Sequence, residues 1–372
     1  MNSDIARRVS PLLAVSGPLA FVALFLPASG EGVRVAEMPE LAAVAAAILV
    51  CAVLCWWRQA FVIPATAIAA HFAAWILVSR VAAISGSSGL GFWCLVVAGW
   101  LTAWRLVDAL SALEPRDIAW RRLLGVVVPL LFGIWILILW ELVVRGFAVP
   151  QVLLPAPGQI GARLAASIPT LWADFRQTFL KAVLIGYVLG CGSGFVVAIL
   201  VDRVPFLRKG LLPIGNLVSA LPIVGIAPIM VMWFGFDWPS KAAVVVVMTF
   251  FPMLVNTVAG LAAAGALERD LMRTYAADYW QDLFKLRLPA AMPFIFTALK
   301  INSTLALIGA IVAEFFGTPI VGMGFRISTE VGRMNIDMVW AEIAVAALAG
   351  SVFYALVALV ERTFTFWHPS YR

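Results

Sequence analysis

Residues 268–289 read ERDLMRTYAADYWQDLFKLRLP, the longest charged segment in a chain otherwise made of apolar runs. Eight of these 22 residues are ionic: Glu268, Arg269, Asp270, Arg273, Asp278, Asp282, Lys285 and Arg287. Runs long enough to cross a bilayer flank the segment on both sides, yet it is not patterned as a solvated loop. Met272, Tyr275, Tyr279, Leu283 and Leu286 recur at helical spacing, while Asp270, Thr274, Asp278, Gln281 and Lys285 fall largely on the other side. Asp278 followed three residues later by Gln281 is a capping-box pair, which predicts a second short helix starting there. The segment therefore reads as helix, turn, helix, with Pro289 opening the next span. A two-helix knuckle between spans suits docking onto a soluble partner. The blander alternative is a stripe lying on lipid headgroups.

The composition around the knuckle sets the class. The 372 residues are 63% hydrophobic and 12% charged, with a mean hydropathy of +1.00. A soluble fold of that length cannot hide so much apolar surface, so an all-α polytopic membrane protein is expected. The net charge of +6 and pI near 9.4 follow from Arg and Lys collecting in loops on one side, and no nucleic-acid partner is implied. Cys51, Cys55, Cys94 and Cys191 all lie in apolar runs, which argues against a disulfide framework. Cys51 and Cys55 stand one turn apart but lack further metal ligands nearby. His71 and His368 are isolated, and no GxxxxGK[ST] occurs, so neither a catalytic triad nor a P-loop is present.

Outward from the knuckle, about ten spans are expected at the length a bilayer needs. Four come first, at roughly 10–28, 40–57, 60–83 and 89–107, the first read as uncleaved although MNSDIARR places two arginines before it. The polar stretch 108–122, DALSALEPRDIAWRR, is read as a cytoplasmic linker, because Arg116, Arg121 and Arg122 cluster there. Six more spans follow, at roughly 123–144, 179–201, 211–235, 241–264, 291–315 and 340–361. Arg203, Arg208, Lys209, Arg269, Arg273, Lys285, Arg287, Arg362 and Arg372 then share one side, which puts both termini in the cytoplasm. The outer segment 145–178 shows no span-length run. After Leu154-Pro155-Ala156-Pro157 it suggests a turn and an interfacial helix.

Polar and helix-breaking residues at membrane depth are the candidates for a solute path. Pro213, Pro222 and Pro228 share one span with Gly215, Gly225 and Ser219, so that helix is expected to bend, either lining a pathway or packing as a kinked helix. Asn256, Lys300 and Glu314 need protein or water around them. At helical rise Lys300 and Glu314 stand about 20 Å apart and cannot pair within one helix. Each is expected to be tied structurally elsewhere, and Glu141 and Arg145, four apart, are expected to pair.

Taken in order, these features resemble the ABC importer permeases of the nitrate/sulfonate/taurine group. The knuckle resembles their EAA loop, with Asp270 in place of the family's Glu, Ala276 in place of its turn glycine and Asp278 in place of its Ser, counted back from Leu288-Pro289. Leu153-Leu154-Pro155-Ala156-Pro157, Trp233-Phe234-Gly235, Phe251-Pro252 with Asn256-Thr257, and Leu299-Lys300-Ile301 with Ala313-Glu314 resemble further family signatures. The resemblance covers about two thirds of the chain, by count of residues from 123 to 372, and omits 1–120. It implies residues 1–107 as an accessory four-helix membrane region, 108–122 as the linker, and 123–372 as the permease domain.

The resemblance further implies a second permease subunit (homo- or heterodimer), two cytoplasmic ATPase subunits carrying ATP and Mg, and an extracytoplasmic solute-binding protein. No cofactor or metal is expected on this chain. It assigns coupling to Asp270, Arg273, Tyr275, Ala276, Asp278, Tyr279, Gln281, Leu283 and Pro289. The solute would be a nitrate-, sulfonate- or taurine-like anion or a vitamin precursor, and the cell inner membrane the location. An ion-coupled secondary transporter is the alternative, disfavoured by the lack of a repeated half.

Overall fold

The computed structural model describes residues 11–30, 32–219, 222–317 and 320–367, apart from the side chains of residues 212, 216, 217 and 219. Arg7, Arg8, His368 and Arg372 lie outside that set. The described chain is helical nearly throughout, and it divides between Ala162 and Arg163 into two units.

The first unit holds α1 (Pro11–Ala23), α2 (Pro39–Trp57), α3 (Val62–Val81), α4 (Leu90–Ser111) and α5 (Ile118–Gly146), and the division falls within α6 (Pro157–Ala166). α1 to α4 pack as a bundle around Val44, Ile48, Leu77, Phe92 and Leu95. The polar linker is shorter than its sequence suggests, because α4 runs on to Ser111 and Asp117 caps α5 by accepting the Ala119 N–H at 2.9 Å. α5 lies against α3 and α4 through Trp135 and Leu142, and most of its other surface is exposed apolar side chains, as a lipid-facing span requires.

The second unit begins with a long helix. α7 (Ile168–Phe175) passes through a wider-wound π segment, Arg176–Val183, into α8 (Leu184–Arg203). Residues 168–178 thus belong to a helix that continues into the next span, where the sequence reading had an outer segment with an interfacial helix. Asp174, Arg176, Gln177 and Lys181 break the hydropathy signal, but Asp174 and Gln177 are turned into the protein and paired there. π segments often sit at functional sites.

The expected span at 211–235 is two helices, α9 (Pro205–Ser219) and α10 (Ile223–Phe234). Pro222 caps the second in extended conformation, and residues 220 and 221 lie outside the described set. α11 (Trp238–Ala262) follows, then α12 (Ala266–Thr274), α13 (Tyr279–Asp282), α14 (Leu288–Glu314), α15 (Met323–Gly332) and α16 (Ile336–Phe364). Among the described residues, eight helical segments are long and apolar enough to cross a membrane, and the shorter apolar α1 and α10 stand at the other two expected positions.

The centre of this unit is α11 packed between α8 and α14. Gly186, Gly190 and Gly194, one turn apart on α8, let α11 approach; a Cβ on Gly190 would collide with Thr249 Oγ1 and stand 2.9 Å from the Val246 carbonyl. Asn302, fully buried on α14, donates to the Thr249 carbonyl at 2.8 Å and lies 3.2 Å from Cys191 Sγ, tying the three helices together.

Candidate functional site

The knuckle forms the helix–turn–helix that its pattern predicts. Glu268 sits in the first turn of α12, where the helix dipole favours a carboxylate. The helix ends in a Schellman arrangement: the Ala277 N–H reaches the Met272 carbonyl at 3.0 Å, and the Ala276 N–H reaches Arg273 at 2.9 Å. That closure needs a left-handed residue, and Ala276 adopts φ 50°, the position where the resemblance places glycine. The capping box forms as well. Asp278 accepts the Gln281 N–H at 2.7 Å, and Gln281 Oε1 accepts the Asp278 N–H at 3.2 Å. α13 then winds through the π segment Leu283–Arg287 directly into α14, with Pro289 in its first turn.

What anchors the knuckle was not visible in its own sequence. Asp202, at the end of α8, accepts two guanidinium N–H bonds from Arg287 at 2.8 and 2.5 Å and the Tyr279 hydroxyl at 3.1 Å. Arg287 also donates to the Leu261 carbonyl at 3.1 Å, and Arg269 reaches the carbonyls of Leu261 and Ala262, so two arginines cap the end of α11. Arg203 lies over the rings of Tyr279 and Trp280, with centroids 5.1 and 5.6 Å away. The signal available was the Asp202-Arg203 pair closing an apolar run.

These ties divide the expected docking stripe. Leu283 is fully buried, and Tyr279 is half-buried against Asp202, so neither is presented for docking. The exposed apolar side is instead Leu267 and Leu271 on α12 and Tyr275 at its C-cap, four residues apart, together with exposed Trp280 and Phe284, whose rings stack at 6.0 Å. Asp270 and Arg273 flank them as an exposed pair, 3.3 Å apart.

The membrane-depth candidates are tied as the spacing suggested. Lys300 pairs with Glu361 of α16 at 2.7 Å, and Glu141 pairs with Arg145 at 2.5 Å while accepting the Gly158 N–H at 2.7 Å. Asn256 donates to its own helix at Pro252, 2.8 Å away. Pro222 is exposed at the start of α10 and Pro228 half-buried within it; the Ser219 side chain lies outside the described set.

Glu314 belongs to a buried polar layer. Its carboxylate accepts the Thr178 hydroxyl and the Gly324 N–H, both at 2.7 Å. Thr178 in turn accepts the Met323 N–H at 2.8 Å, and Asp174 accepts the Gly322 N–H at 2.7 Å. Three side chains thereby satisfy the unpaired N–H groups at the start of α15. Arg326 closes on Asp174 at 2.8 Å; burial works against its charge, but the carboxylate bond outweighs it and holds the guanidinium above its ordinary range. Beside this layer, buried Lys241 donates to the Phe236 carbonyl at 2.6 Å and to the Gly317 carbonyl. Asp237, before α11, is held below the usual carboxylate range chiefly by the Trp238 N–H, with the Gln177 amide adding to it.

Comparison with known proteins adds the following. The family described as binding-protein-dependent transport system inner membrane component matches residues 183–366. The chain is 30% identical over 239 residues to the formylaminopyrimidine transport permease protein of Halalkalibacterium halodurans, covering 64% of this chain and 95% of that relative. It is 29% identical over 249 residues to the riboflavin transport system permease protein of Chloroflexus aurantiacus, covering 66% and 91%. It is 26% identical over 265 residues to the taurine transport system permease protein of Escherichia coli, covering 69% and 96%.

Proposed function

The chain belongs to the family of inner membrane components of binding-protein-dependent transport systems, and from that premise we propose how it is driven. It is the transmembrane permease subunit of an ATP-driven ABC importer for a small solute, a transport subunit and not an enzyme. It is a multi-pass protein of the inner membrane and works with ATPase and solute-binding partners.

In the proposed arrangement the ATPase grips the exposed side of the knuckle, Leu267, Leu271 and Tyr275, with Trp280 and Phe284 at the rim. The observation that carries this is a contiguous apolar face on a short helix whose base is pinned by buried groups. Loose apolar residues in a loop give no leverage, whereas a face rigidly joined to α8 and α14 passes displacement into both. Asp270, Arg273, Asp278 and Gln281 shape and flank the contact, Ala276 and Pro289 set its turns, and Tyr279 and Leu283 transmit. Two permease subunits, two ATPases with their ATP and Mg, and one binding protein complete the assembly, with the knuckle and both termini cytoplasmic. Residues 1–107 are accessory to the permease domain. The α9–α10 element, with Ser219, Pro222, Pro228 and neighbouring Asn256, lines the solute path, and Lys300 and Glu314 hold spans in place. The relatives' named solutes, formylaminopyrimidine, riboflavin and taurine, support a small anion or vitamin precursor.

Capture of the ATPase subunit by purified permease tests the docking face. Leu271→Asp and Tyr275→Asp should each abolish capture while the permease still inserts and elutes as wild type. Unchanged capture by both variants would assign the face to lipid headgroups instead.

A further inference from the structure

Lys241, in the first turn of α11, is fully buried, and its ammonium rests on three oxygens. It donates to the Phe236 carbonyl at 2.6 Å, to Ser240 Oγ at 3.2 Å and to the Gly317 carbonyl. Ser240 is free to accept, because its own hydrogen goes to the Asp237 carbonyl at 2.8 Å. An ammonium carries three N–H groups, so all of them are spent on the protein and none is left for a solute.

The two carbonyls come from different helices. Phe236 follows the end of α10 and Gly317 follows the end of α14, and both helix C-termini turn the negative ends of their dipoles toward one cation. The chain after α14 is shaped for this approach: Gly317 adopts φ 145°, and a Cβ there would stand 2.7 Å from Phe236 Cδ1 and 3.4 Å from Val231 Cγ1. Elsewhere α10, α11 and α14 meet through apolar side chains, among them Ala227, Val244 and Ala313. Apolar helix faces in lipid have no hydrophobic force holding them in register, whereas directed polar bonds do. The opposite end of α14, 27 residues and about 40 Å away at helical rise, continues from the knuckle.

We propose that Lys241 ties the end of α10 to the end of α14 remote from the knuckle, so that a shift of α14 begun at the knuckle carries α10 with it. The proposal rests on the coupling role of the knuckle and the path-lining role of α10 put forward above. It makes Lys241 a positioning residue, which moves the wall of the path and touches nothing that passes along it.

Pulsed electron-spin resonance on the assembled transporter tests the tie, with nitroxides at exposed Met232 and Phe315, which stand just before the two carbonyls, in a cysteine-free background. Wild type should give one narrow distance that shifts by less than about 2 Å when ATP binds. Lys241→Met keeps the length of the side chain and loses its donors. It should broaden that distance and cut the ATP hydrolysis stimulated by loaded binding protein about tenfold, with ATPase capture at wild-type yield. Gly317→Ala leaves every donor in place but forces the chain off Phe236; it should also broaden the distance, and it serves if K241M does not assemble. A larger shift in wild type overturns the proposal before any variant is made. So does K241M that keeps the narrow distance, or that hydrolyses ATP within about twofold of wild type. Unchanged ATPase capture by Leu271→Asp would sink the docking face and leave these distances as they are.

Discussion

Replacing Asp202 by alanine should loosen the coupling knuckle more than any change on its surface. The Asp202 and Arg287 side chains are 6% and 12% exposed, so their pairing is scarcely screened by water. Truncation strands Arg287 with the Leu261 carbonyl at 3.1 Å and Asp282 at 3.9 Å, and it also frees the Tyr279 hydroxyl. Removing one partner of a buried ion pair costs about 3–5 kcal/mol, and the contacts Arg287 keeps place this case near the lower end, about 3 kcal/mol. Tyr279→Phe removes one bond to a charged acceptor and should cost about 1.5 kcal/mol. Arg287→Met leaves Asp202 buried without its cation and should cost as much as Asp202→Ala. The double variant removes both charges and should cost about 4 kcal/mol, less than the two single costs taken together by a coupling energy of about 2 kcal/mol. The assay is a double-mutant cycle on the unfolding of purified permease, read with ATPase capture on the same samples. Additivity of the two single costs, within about 0.5 kcal/mol, would refute a knuckle held by this pair.

Ala276→Gly should leave stability unchanged or raise it by up to about 1 kcal/mol, because relief of the left-handed strain outweighs the added chain entropy; thermal melting checks this. Gly190→Ala should cost about 1–3 kcal/mol by overpacking α8 against α11, and Thr249→Ala should rescue it only in part, since the Val246 backbone also stands in the way; melting temperatures of the single and double variants decide. Lys300→Ala should destabilise by about 3 kcal/mol through the buried Glu361, while Lys300→Met with Glu361→Met recovers most of it. A change in solute affinity without loss of stability would instead put Lys300 in the path. Reporter fusions after Arg122 and Lys209 should read cytoplasmic and one after Gly161 external; an external signal at Arg122 would reverse the orientation.

The membrane class, the positions of the spans and the knuckle's turn chemistry were legible in the chain because each depends on neighbours a few residues away. Hydropathy needs a run of about 20 residues, and a capping box needs four. The pairing of Glu141 with Arg145 is equally local, one helical turn apart. That residues 168–178 run as one helix into α8 was not legible for the same reason: a local average counts Asp174 and Gln177 as loop residues. Only packing supplies their partners, Gly322 lying 148 residues from Asp174 and Asp237 lying 60 from Gln177. Which of the knuckle's apolar residues face outward was likewise undecided, since Tyr279 and Leu283 share a stripe with Tyr275 until Asp202, 77 residues before Tyr279, draws Tyr279 inward. The sequence by itself determined where helices form and which residues are polar at depth. The tertiary structure decided which polar residues are spent on holding the fold, because a buried charge is tolerable only where a distant helix brings its partner within hydrogen-bond reach.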